Sequence, residues 1–148
     1  MDFELELVTD HLVRLLIAFA LALPVGWERG SGRSSLGFRT LPVVAMASCG
    51  FALLARGLPG ADAESMTRLL QGLMSGIGFI GGGAILKDNG SVKGLVTAAS
   101  VWNVGAIGVA VGYGRLEIAV ILSLLNVAVL VLLGPVAKEV KKDGSGED

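Results

Sequence analysis

The sequence predicts an all-α fold: a polytopic membrane helix bundle with five transmembrane helices, its amino terminus outside and its carboxyl terminus in the cytoplasm. Three observations predict it. Of 148 residues, 53% are hydrophobic before the 22 glycines are counted, and only 17% are charged. Soluble domains are about 45–50% apolar with glycine included and about 25% charged. Five apolar stretches approach the roughly 20 residues that a helix needs to cross hydrocarbon, and the links between them are polar and glycine-rich. Finally, residues 75–86 read SGIGFIGGGAIL. Each glycine would cost a water-exposed helix about 1 kcal/mol relative to alanine. In a bilayer the backbone must bond internally, and small residues let helices approach closely.

The first span is expected over 10–27, with Arg14 close enough to its start to snorkel. The second covers 40–56, the third 68–86, the fourth 95–113 and the fifth 117–136. The first two are short and need thin bilayer or snorkelling ends. The acidic start of the chain lacks the basic region of a secretory signal, so the first span is read as retained. Residues 1–137 form the transmembrane domain and 138–148 a short charged cytoplasmic tail. Basic residues near span ends stay cytoplasmic. Arg29, Arg33, Arg39, Lys87, Lys93, Lys138, Lys141 and Lys142 fall on one side, against Arg56, Arg68 and Arg115 on the other. Trp27 and Tyr113 fall near opposite interfaces, where aromatic rings are favoured.

Spans three and four are expected to form the compact centre. Gly72, Gly76, Gly78, Gly81, Gly82 and Gly83 in span three, with Gly108 in span four, are candidates for helix packing or for lining a pore. The triplet at 81–83 reads either as close packing in a continuous helix or as a break whose carbonyls coordinate a cation. Its place near a span end favours packing. Asn103 and Asn126 lie deep, as interhelical glue or, for Asn103, on a solute path. Span five is bulky and suits lipid.

The chemistry that is missing narrows the function. Every acidic residue falls outside the spans or at their ends, so no buried carboxylate pair serves a proton relay or a magnesium cage. The single His11 excludes a histidine cluster within one chain. Cys49 reads as a small buried hydrophobe. The sequence shows neither a P-loop nor a nucleophile beside a base, so no enzyme and no cofactor are expected. A net charge of −1 implies no nucleic acid partner. The sequence leaves metal binding open, with only Glu28 or Asp88 placed for a membrane-surface site.

The cytoplasmic face gathers Glu28, Arg29, Arg39, Thr40, Asp88 and Thr97. They read either as interfacial anchors or as a recognition surface for a partner protein or an anion, with Arg29 and Arg39 as donors.

Four ordered motifs carry a resemblance that covers nearly the whole chain: GWER at 26–29, FRTL at 38–41, the segment at 75–86, and GLVTAASVW at 94–102, followed by AIGVAVG at 106–112. Together they resemble the MgtC/SapB family of bacterial membrane proteins. The family's G-x-E-R segment maps onto Gly26, Glu28 and Arg29, and its R-T pair onto Arg39 and Thr40. Its S-G-x-G-F-x-G-x-G segment maps onto Ser75, Gly76, Gly78, Phe79, Gly81 and Gly83. Its G-L-x-T-A-A segment maps onto Gly94, Leu95, Thr97, Ala98 and Ala99. Gly30 stands where an acidic residue often follows the E-R pair, which weakens a two-carboxylate cation site, and Asn103 adds an amide. Some members carry a soluble carboxyl-terminal domain, whereas these residues end soon after Lys142. The resemblance implies a multi-pass protein of the bacterial inner membrane linked to magnesium homeostasis. It would act by regulating other membrane proteins, or else as a small homo-oligomeric ion or solute transporter or channel. Expected partners are the lipid bilayer and other membrane proteins or a second copy.

Overall fold

The computed structural model describes residues 2–30, 36–60, 62–88 and 91–143, with side chains described over 4–30, 37–60, 62–87 and 92–135. The chain forms α1 (Asp2–Gly30), α2 (Leu36–Gly57), α3 (Ala63–Gly83), the strands β1 (Leu86–Asp88) and β2 (Ser91–Lys93), α4 (Leu95–Gly112) and α5 (Leu116–Asp143). Five helices therefore form where five were expected. Four of them, α1, α2, α4 and α5, are long and apolar enough to cross a membrane. The other, α3, has the length at 21 residues, but Glu64, Arg68, Gln71 and its glycines dilute its apolarity. It nevertheless runs beside α4 from end to end. The Tyr113 hydroxyl donates to Met66 Sδ at 3.3 Å, and Gly81 packs on the Ala98 carbonyl oxygen. That contact length is about 22 Å at 1.5 Å per residue.

Helix boundaries depart from the expected spans in several places, with α2 beginning at Leu36 and α3 at Ala63, ahead of the expected 40 and 68. α1 begins at Asp2, and its first exposed turns lengthen it to 29 residues. α5 continues to Asp143, into the segment expected as a tail. α3 stops at Gly83, so Leu86 belongs to an antiparallel hairpin pairing Leu86 with Lys93 and Asp88 with Ser91. The Gly81–Gly83 triplet is thus the last turn of a helix, and the carbonyls of Gly81 and Gly82 are bonded. Ala84 N–H donates to Gly81 O and Ile85 N–H to Gly82 O, both at 3.1 Å.

The core corrects the expected centre. α2 and α4 lie parallel, with α1 against both. Buried Val104, Ile107 and Val111 of α4 meet Leu41, Val44, Ala45 and Cys49 of α2 and Ala18, Ala22 and Val25 of α1. α3 buries only Ile77 and Gly81. The reason is steric. A Cβ on Gly108 would overlap the Ala45 carbonyl oxygen, and one on Gly112 would lie 2.5 Å from Ala52 Cβ. By contrast, a Cβ on Gly72, Gly76, Gly78, Gly82 or Gly83 would meet nothing within 4 Å. Glycine abundance marked α3, but interdigitation decides which glycines pack.

Candidate functional site

The parallel α2–α4 pair puts the start of α2, the start of α4, the end of α1 and the end of α3 at one end of the bundle. At that end α1 and α2 meet backbone to backbone. A Cβ on Gly37 would stand 2.6 Å from Arg29 Cβ, and one on Gly30 would stand 3.0 Å from Phe38 Cβ. The close approach seats Trp27 against Phe38 edge to face, with centroids 5.7 Å apart, and both rings remain exposed. On the α3–α4 side, Gly94 adopts φ 88°, a conformation open to glycine. A Cβ there would collide with the Ala84 carbonyl.

Glu28 and Arg29 therefore close α1, Arg39 and Thr40 open α2, and Thr97 lies in the first turn of α4, all at the same end. Arg39 is exposed; Glu28, Arg29, Thr40 and Thr97 are half-buried. The Nε of Arg29 is buried without a hydrogen-bond partner. Asp88 ends β1 at this end as well, but its side chain lies outside the described residues, as do Arg33 and the side chains of Lys138, Lys141 and Lys142. The structure gathers these residues at one end, and among the described residues no hydrogen bond joins Arg39 to Thr97. Among the described residues, no group of three or more His, Cys, Asp or Glu could hold a metal ion.

At the opposite end Arg14, Arg56, Arg68 and Arg115 all have partners. Arg14 pairs with Asp10 at 2.7 Å, Arg68 with Glu64 at 2.5 Å and Arg115 with Glu117 at 2.5 Å. Arg56 donates to the Gly112 carbonyl at 2.8 Å, and Arg14 makes a longer contact of 3.4 Å to the Val111 carbonyl. Cations at the carboxyl end of α4 complement the unsatisfied carbonyls and dipole of that helix. Here Asp62 caps α3, accepting from Ser65 N–H at 2.8 Å; hydrogen bonding from the Ser65 side chain first, and from this backbone N–H second, holds its carboxyl below the usual carboxylate range. The sequence showed Arg14 and Arg56 only as charges near span ends. Their shared target on α4 depends on contacts between residues 97 and 56 positions apart.

Two clefts flank α3. One, of about 580 Å³, lies between α2 and α3 and is lined by Val43, Ala47, Phe51, Gly72 and Gly76 among others. The second, of about 370 Å³, lies between α3, α4 and α5. Gly72 and Gly76 thus line a groove, while Gly81 packs on the Ala98 carbonyl and Gly108 on that of Ala45. Gly105, not singled out in the sequence, packs on Ile77. Asn103 Oδ1 and Asn126 Nδ2 are buried and unpartnered. They sit about equally far from the Tyr113–Arg115 turn, roughly 15 Å along antiparallel helices.

These features define a polytopic membrane helix bundle with arginines held by carboxylates or helix carbonyls at one end and Glu28, Arg29, Arg39, Thr40 and Thr97 gathered at the other. The chain belongs to the MgtC family, whose model matches residues 15–139. It is 36% identical to the protein MgtC of Brucella abortus over 82% of this chain and 50% of that protein. It is 30% identical to the putative magnesium transporter YhiD of Escherichia coli K12, over 84% of this chain and 60% of that protein. An uncharacterized Synechocystis protein is 37% identical over 86% of this chain and 54% of its own length. The chain spans about half the length of the curated relatives it matches. No solved structure matches it.

Proposed function

We propose that the protein is a non-enzymatic regulator of other membrane proteins in magnesium-related homeostasis, resident in the bacterial inner membrane and working by helix contact. The carrying observation is the outward face of α3. Ser75, Phe79 and Gly82 follow the spacing of one helix face, all three are exposed, and Phe79 is 85% exposed. In lipid, a large ring between two small residues offers a knob with flat flanks, suited to close helix packing. The family and the magnesium in one relative's name support the physiological setting.

Affinity capture from native membranes in low and high magnesium tests it. A stoichiometric membrane partner that Phe79→Ala releases, with yield and helicity unchanged, is expected. Phe79→Ala capturing the same proteins as the wild type would sink the reading.

A second reading, a small transporter, is favoured by the unpartnered Asn103 Oδ1 and Asn126 Nδ2 and by the name of the Escherichia coli relative. Folded protein in liposomes should then pass magnesium or another small solute, and Asn103→Leu should abolish the flux. Tight vesicles across a panel of ions remove it.

For orientation, the bias of lysine and arginine supports a cytoplasmic location for the end bearing Arg29, Arg39, Lys87 and Lys93 and an outside location for the end bearing Arg56, Arg68 and Arg115.

A further inference from the structure

We propose that the cleft between α2 and α3 is a binding site for one anionic phospholipid, with an acyl chain in the cleft and the headgroup phosphodiester on Arg39. Three observations carry it. Arg39, Val43, Ala47 and Phe51 recur every four residues along α2, so they form one stripe of that helix. The last three of them line the cleft. Arg39 therefore begins this stripe one turn before Val43, at the edge of the helix face that builds the groove. Arg39 is exposed and carries no ion pair among the described residues, unlike Arg14, Arg68 and Arg115 at the other end of the bundle.

The second observation is the shape and polarity of the groove. Its volume is about 580 Å³, within the roughly 300–1,000 Å³ of ordinary ligand sites. Gly72 and Gly76 form its α3 wall, and the space above both is open. Arg39 to Phe51 spans about 18 Å at 1.5 Å per residue, close to one leaflet, half of the roughly 30 Å hydrocarbon core. An acyl chain anchored by a headgroup at Arg39 matches that depth. The third is the interface itself. The exposed Trp27–Phe38 pair sits beside Arg39 in the chain fold and marks the headgroup level of this end. The neighbouring Arg29, with its unpartnered Nε, adds positive potential to the same edge. A zwitterionic lipid fits the groove equally well but gains less at Arg39, because its own cation opposes the guanidinium. The lipid class is thus set by charge and the chain by the cleft.

Native mass spectrometry of the full chain tests the site, after exchange into micelles doped with equal amounts of palmitoyl-oleoyl-phosphatidylglycerol and palmitoyl-oleoyl-phosphatidylcholine. One phosphatidylglycerol should be retained in preference to phosphatidylcholine by about five-fold, the size expected for one basic side chain near a lipid surface. Arg39→Gln should bring the two lipids to parity, and Arg39→Lys should keep most of the preference. Gly76→Trp should fill the groove and release both. Because Arg39 is exposed, Arg39→Gln carries the test alone if Gly76→Trp does not fold. Equal retention of both lipids by the wild type, or a preference untouched by Arg39→Gln, overturns the proposal. So does efficient disulfide cross-linking of two protomers through Gly76→Cys in membranes, which would assign the groove to a second copy.

Discussion

Gly108 of α4 lies directly on the carbonyl oxygen of Ala45 in α2, so closely that a side chain at 108 has no room. The contact repeats one turn later, where Gly112 meets Cys49 O and Ala52 Cβ. This parallel seam, with α1 laid across it, holds the bundle. It also brings the starts of α2 and α4 and the end of α1 to one end of the bundle.

Substitutions along the seam should therefore separate from those on α3. Gly108→Ala is expected to lose about 1–3 kcal/mol, the usual range for overpacking a filled core. Gly78→Ala, with open space at its Cβ position, should be neutral or slightly stabilising. Reversible unfolding in mixed micelles measures both. Equal losses at the two sites would contradict the seam.

Arg56 should matter through the end of α4. Arg56→Ala removes the 2.8 Å bond to Gly112 O, and about 1 kcal/mol is expected from a cation at a helix carboxyl terminus. Arg56→Lys should recover part of it. Faster amide exchange confined to 110–114 in the alanine variant is the direct readout, and an unchanged exchange pattern would count against the cap.

The two buried amides offer a cleaner discrimination. Interhelical side-chain bonds in membranes average about 0.6 kcal/mol. Asn103 Oδ1 and Asn126 Nδ2 have no partner, so Asn126→Leu should change stability by less than that amount. A loss several times larger would mean that the two amides are bonded in the membrane.

Orientation can be read by thiol labelling of intact cells in a Cys49→Ala background. Cys49 itself is fully buried. Leu58→Cys should react with an impermeant reagent added outside, and Lys87→Cys should react only after the membrane is opened. Both parent side chains are exposed. Reversal of the two patterns would invert the topology.

Much of this was legible in the residues. Continuous apolar runs of about 20 residues separated by glycine and charge fix helices in lipid, because the backbone has no other way to satisfy its polar groups. Hence α2, α4 and α5 arise close to where the hydropathy placed them. The convergence of Glu28, Arg29, Arg39, Thr40 and Thr97 at one end was also legible, since alternating helices return every second link to the same side. The hairpin at Leu86–Lys93 was not, because three-residue strands leave too short a pattern. The role of α3 was misread as central. Glycine content reports where a close approach is permitted, and Gly72 and Gly76 show that permission need not be used.

By itself the sequence determined the solvent, the number of helices and the end at which Arg29, Arg39, Lys87 and Lys93 collect. These follow from local composition and from the strict alternation of a chain passing back and forth. Only the tertiary structure decided that α2 and α4 form the seam, that Arg14 and Arg56 cap α4, and that α3 stands off to leave a groove beneath Arg39. Those outcomes depend on which small residues meet across helices far apart in sequence. Steric fit between distant surfaces leaves no periodic signal in either one.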